Sequence, residues 1–187
     1  MEEEVSFILE HAKEQMQKAL LHLDAELLKI RAGKASPQML EGVFVDYYGA
    51  NTPLSNVANV NTSDARTLVI QPWEKAMLHP IEKAIAAANL GLNPQNDGNL
   101  IRINVPLLTE DRRKDLVKQS KAEAENAKVS IRNIRREANE SIKKAQKEGL
   151  PEDMAKDAEA KIQLFTDSHS TKIDEKLDVK EKEIMTV

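Results

Sequence analysis

Between Pro106 and Gly149 the apolar residues Val117, Ala124, Ala127, Ile131, Ile134, Ala138, Ile142 and Ala145 recur at steps of three, four or seven. That spacing keeps one face of a helix apolar over about forty residues, roughly 60 Å at 1.5 Å per residue, and the rest of the chain has to fold around such a rod. Thr109 stands where a helix cap belongs, Glu110 and Asp111 face the positive helix end, and Gly149 followed by Pro151 stops the run. A first stripe, Val5, Ile8, Ala12, Met16, Leu20, Leu23, Leu27 and Ile30, precedes it, and a third starts near Glu152 with Ala155, Ala158, Ile162, Phe165, His169, Ile173 and Leu177. Amphipathic helices of this length bury their stripes against one another, so the sequence predicts an antiparallel three-helix bundle.

The bundle has to be discontinuous, because a different composition separates its first helix from the other two. Charged residues make up 11 of the 74 positions from Gly33 to Pro106, against 47 of the remaining 113. Residues 43–48, 56–61, 66–71 and 100–105 are short and rich in strand formers, with Gly49, Asp64 and Asn96-Asp97-Gly98 as turn signals. One helix fits between them, Ile81 to Leu90, closed by Gly91 and Pro94. The expected class is therefore α+β, with a small inserted β/α/β domain over 33–106 and the bundle over 1–32 and 107–187. Gly33 and Pro37 disfavour a helix through the first crossing.

Several function classes lose their footing at once. Aromatic residues are 3% of the chain and cysteine is absent, so thiol nucleophiles, thiolate metal sites and disulfides are excluded. His11, His22, His79 and His169 show no metal-ligand spacing, and there is no phosphate-binding glycine loop, GxSxG or HExxH. The sequence thus predicts no catalytic residue, metal site or cofactor, and a protein that is not an enzyme. No apolar stretch is long enough to span a bilayer, and the acidic start Met1-Glu2-Glu3-Glu4 is unlike a targeting peptide, so a cytoplasmic location is expected.

The net charge of −4 argues against a nucleic-acid binder until its distribution is read. Residues 112–136 hold nine basic and three acidic side chains, whereas 137–187 are net acidic. On a helical wheel Lys114, Lys118, Lys121, Lys128, Arg132, Arg135 and Arg136 lie about 60–160° to one side of the apolar seam, with Asn139 and Lys143 continuing the line. Glu125 alone interrupts it. Two readings of this edge stand side by side: a surface for a polyanion, or a face laced to acids of the neighbouring helices. Without aromatic residues the edge cannot stack single-stranded bases, and its arginines suit paired contacts with the backbone of a folded RNA. Neither a membrane nor DNA is expected as a partner. The alternative is a non-catalytic helical module that binds another protein through the acidic face of the first and third helices.

Six blocks carry a resemblance to a known family: Arg31-Ala32-Gly33-Lys34-Ala35-Ser36-Pro37, Asp46-Tyr47-Tyr48-Gly49 with Pro53-Leu54, Asp64-Ala65-Arg66-Thr67-Leu68, Asn89-Leu90-Gly91-Leu92-Asn93-Pro94, Pro106 to Lys114, and Ile131 to Asn139. In this order, and over essentially the whole chain, they resemble ribosome recycling factors. The resemblance implies an L-shaped molecule with the small domain on a hinge at Gly33, Lys34, Ala35, Ser36, Val105 and Pro106. It implies a monomeric factor that splits the post-termination ribosome into subunits together with elongation factor G and GTP, the bundle lying on large-subunit ribosomal RNA at the subunit interface. Arg132, Arg135 and Arg136 would be the principal RNA contacts, with Lys114, Lys121, Lys128 and Asn139 on the same edge. Around Met154 to Lys156 and at Leu164 the chain departs from the family's basic positions.

Overall fold

The structure, a computed structural model, describes residues 1–31 and 33–186. It contains four α-helices, α1 (Glu2–Lys29), α2 (Leu78–Ala87), α3 (Glu110–Lys147) and α4 (Glu152–Met185), and six strands, β1 (Phe44–Tyr47), β2 (Ala50–Pro53), β3 (Ala58–Asp64), β4 (Thr67–Pro72), β5 (Pro94–Asn96) and β6 (Ile101–Asn104). These form two compact units, one from the described residues of 1–32 and 110–187, the other from 33–109. The fold is α+β. The division falls where the sequence composition changes, except that 107–109 go with the sheet unit rather than the bundle.

In the bundle, α1, α3 and α4 pack on one another. At one end Val5 and Ala12 meet Ala138, Ile142 and Ala145 of α3 and Ala155, Ala158 and Ile162 of α4. Alanine at most of these seam positions lets the backbones approach closely, which is how a core forms here with almost no aromatic residues. The α3–α4 turn is a Schellman motif: the Gly149 N–H donates to Gln146 O at 3.2 Å and the Leu150 N–H to Ala145 O at 2.9 Å, with Gly149 at φ +115°. Leu150 is buried beside it.

The stripes read from sequence are the buried faces, with additions. Leu116 and Ser120 of α3 and Thr166 and Ile184 of α4 are also buried, and Ile8, Val117, Ile134, Phe165 and Leu177 are only half-buried. Ser120 and Thr166 can be inside because each hydroxyl donates to the carbonyl four residues back, at 2.9 Å in both cases. Lys180, also buried, keeps its ammonium 3.5 Å from Glu183.

In the other unit β3-β4-β6-β5 form one antiparallel sheet and β1-β2 a separate hairpin. Leu68 pairs with Ile103 and Ile70 with Ile101, all four fully buried, while Arg102 and Asn104 point out. Ile81 and Ile85 of α2 belong to the same core. The observed α2 begins three residues before the predicted Ile81 and ends at Ala87. β2 and β5 were not expected, because neither Ala50–Pro53 nor Pro94–Asn96 alternates apolar and polar residues; each exists by pairing with a better strand.

One carboxylate ties the hairpin to the loop before α2. The Tyr47 and Tyr48 hydroxyls donate to the two oxygens of Glu74 at 2.8 and 2.7 Å. Hydrogen bonding to Tyr48 and then Tyr47 lowers the Glu74 pKa, and the bond to Glu74 raises both phenols. The clasp thus contributes stability above the ordinary carboxylate range and loses it as pH falls through the lowered Glu74 value. Because these are the chain's two tyrosines, phenolate absorbance reports on them alone. Alkaline titration should place both above the usual phenol value of about 10, and Glu74→Gln should bring them back towards it.

Candidate nucleic-acid interface

The cationic edge of α3 is built by the same periodicity that buries its seam. With Ile131, Ala138 and Ile142 inside, the side chains one step round the helix are held at the rim. The structure shows which of them are already engaged. Lys114 pairs with Glu110 one turn back at 3.5 Å. Lys121 reaches Glu181 of α4 at 3.9 Å, and Lys128 reaches Asp174 of α4 at 2.6 Å. Arg132 donates through Nη2 to Glu125 at 2.6 Å and through Nε to the Lys128 carbonyl at 3.3 Å. The one acid that interrupts the edge in sequence is thus bound to an arginine of that edge.

Beyond Arg132 the pattern changes. Arg135 is half-buried and Arg136 exposed, and neither side chain makes an ion pair or hydrogen bond among the described residues. Lys143 is exposed and likewise has no ion pair among them. Asn139, half-buried, has its Oδ1 shut off from solvent with no hydrogen-bond partner. Apart from Lys118, which is exposed and has no ion pair among the described residues, the edge therefore has a half answered by carboxylates, from Lys114 to Arg132, and an unanswered half from Arg135 to Lys143. An exposed ion pair is worth only about 0.2–1 kcal/mol, so the answered half can exchange its partners for phosphate, while the unanswered half has nothing to exchange. The acids of α4, Asp174 and Glu181, were not picked out in the sequence reading, since only the register between two helices reveals them.

The histidines stay apart. His79 lies 3.6 Å from Glu82, His11 stacks on Phe7, and the Nδ1–H of buried His169 donates to the Phe165 carbonyl at 2.6 Å. No three His, Asp or Glu side chains among the described residues gather as a metal site. Among the described residues no helix is long and apolar enough to cross a membrane.

The proposed hinge positions have definite local roles in the sheet unit. The Ala35 N–H donates to Ala65 O at 2.8 Å and the Val105 N–H to Arg66 O at 2.7 Å, so both crossing strands grip the β3–β4 turn. Ser36 hydrogen-bonds Gln38 at the start of the 3-10 turn Pro37–Leu40. Gly33 has φ +79°, and a Cβ there would sit 2.7 Å from Leu108 Cγ. Lys34 and Pro106 are exposed. Gly33→Ala should cost the sheet unit about 1–3 kcal/mol through backbone strain, read as faster hydrogen exchange at the β4 and β6 amides with α3 unchanged.

A long-helix bundle interrupted by a small sheet unit, with a cationic edge along its longest helix, defines a class of binding factor. Residues 23–185 match the family model for ribosome recycling factor. The chain is 57% identical over 187 residues to the ribosome-recycling factor of Flavobacterium johnsoniae, covering all of both chains. It is 53% identical over 185 residues to that of Porphyromonas gingivalis, covering 98% of this chain and all of the relative. A solution structure of a ribosome recycling factor superposes with a TM-score of 0.75 at 38% identity over 98% of each chain. A chain from the models of the T. thermophilus ribosome recycling factor and the E. coli elongation factor G bound to the E. coli post-termination complex matches with a TM-score of 0.61 and 45% identity, over 97% of this chain and 99% of that one. The chain belongs to the ribosome recycling factor family, a non-catalytic family of protein biosynthesis, and is not an enzyme.

Proposed function

We propose that this chain splits the post-termination ribosomal complex into subunits together with elongation factor G and GTP, working as a monomer in the cytoplasm and gripping large-subunit ribosomal RNA through the edge of α3. The observation that supports the grip is the pair of guanidinium groups at Arg135 and Arg136, without a partner among the described residues, on a rigid helix. Models exist for a related factor and elongation factor G bound to the post-termination complex. Charge-assisted bonds from a guanidinium fork to phosphate oxygens are about twice as strong as neutral ones, and a free arginine gives up no internal partner to form them. Arg132, Lys128, Lys121 and Lys114 extend the contact, each releasing a carboxylate, and Asn139 lies within the same stretch.

The bundle is then an anchor and the sheet unit the part on which force acts. The backbone clamps at Ala35 and Val105 belong to the sheet unit. Rotation then falls at Gly33 and Lys34, ahead of the Ala35 clamp, and at Pro106, beyond the Val105 clamp.

If about six phosphates are neutralised, affinity for large subunits falls on the order of 10³-fold between 50 and 200 mM salt, and a flat filter-binding titration contradicts the electrostatic grip. Arg135→Ala should weaken that binding about tenfold or more, the loss of one or two charge-assisted bonds, while the melting temperature stays near wild type. Joining the two units by a rigid cross-link should leave binding intact and stop splitting, followed by light scattering with elongation factor G and GTP. Splitting at the normal rate by the cross-linked protein would refute the hinge. Undiminished retention on ribosomes after ribonuclease treatment would instead favour the protein-interaction module.

A further inference from the structure

The ion pairs between α3 and α4 follow a heptad ladder, and its third rung is open. Lys121 meets Glu181, and seven residues along each helix Lys128 meets Asp174. The helices run antiparallel, so the next step of seven pairs position 135 with position 167, an arginine with an aspartate. That rung is not made. The Asp167 carboxylate instead accepts a hydrogen bond from Gln163 Nε2 at 2.8 Å, one turn back on α4, and Arg135 has no partner among the described residues. The same register puts Gln163 level with Asn139, whose Oδ1 is the buried acceptor left without a donor.

We infer that Gln163 is a positioning residue that holds Asp167 on its own helix and so keeps the Arg135 guanidinium open for RNA. This rests on the proposed RNA contact of Arg135. Three chemistries compete for Asp167 and Gln163. An Arg–Asp pair would satisfy Asp167 but use up the guanidinium and leave its charge facing any phosphate that approached. An amide pair between Gln163 and Asn139 would satisfy Oδ1 but release Asp167. The observed Gln163–Asp167 bond is charge-assisted and local, which favours it over the neutral amide pair. Its consequence is that the arginine at the third rung stays untied from α4, whereas Lys121 and Lys128 on the other two rungs are held by Glu181 and Asp174.

Gln163 and Asp167 are exposed, and alanine is a good helix former, so substitution there leaves the bundle intact. In Gln163→Ala the aspartate is free to close the rung. Large-subunit binding by filter assay should weaken about 3-fold, within the range of one exposed ion pair, and Gln163→Ala with Asp167→Asn should recover wild-type affinity. The rung itself is read without RNA: a double-mutant cycle of Arg135→Ala and Asp167→Asn, followed by melting temperature at low salt, should show coupling in the Gln163→Ala background and none in the wild type. Wild-type binding by Gln163→Ala, or weakened binding that Asp167→Asn does not restore, overturns the inference while Arg135→Ala still weakens binding. If Arg135→Ala itself binds as wild type, the RNA contact fails and takes with it the consequence drawn for Gln163, even where the cycle shows the rung closing.

Discussion

Everything in the bundle depends on the register of α4 against α3. The buried seam sets that register: Ile142, Ala138 and Ala145 against Ala155, Ala158 and Ile162, with Gly149 and Leu150 locking the turn between the helices. Once it is set, the acids of α4 fall opposite particular cations of α3 and not others. The seam is made of small and aliphatic side chains that carry no charge information, yet it decides which cations are answered. Core packing and surface electrostatics are thus one constraint seen from two sides of the helix.

Neutralisation that stops part-way suits the proposed grip on a polyanion, which has to be released as well as made. Ion pairs at the rim of the bundle each contribute little stability, so tying Lys121 and Lys128 to α4 costs little to reverse. The half-buried Arg135 and the exposed Arg136 keep charge in place along a rod of about 57 Å, long enough to span many phosphates. The rod is stiff because its backbone is helical throughout and its seam is packed on two neighbours. In the sheet unit the stiffness comes from elsewhere, from the Leu68, Ile70, Ile101 and Ile103 core and from Glu74 clasping two tyrosines.

The three long helices and the cationic edge could be read from the sequence because both are local periodicities. Val5 to Ile30 and Ala155 to Ile173 announce their buried faces without reference to any partner, and α2 is offset by only a few residues. What could not be read depends on pairing between segments. β2 and β5 have no strand pattern of their own. Ser120 and Thr166 are buried because a hydroxyl can satisfy itself on its own helix, which a polarity pattern reads as exposed. The division of the edge into answered and unanswered halves needs the α3–α4 register, and the hydrogen bonds that assign Ala35 and Val105 to the sheet unit need the position of the 65–66 turn.

The central claim is that the unanswered half of the α3 edge faces RNA. Lys143 is exposed on that half of the edge, about two turns beyond Arg136, so a photoreactive side chain there replaces neither arginine. Irradiated on ribosomes, that variant should cross-link to large-subunit ribosomal RNA. Cross-links to ribosomal protein alone, from a variant that still binds, would contradict the account.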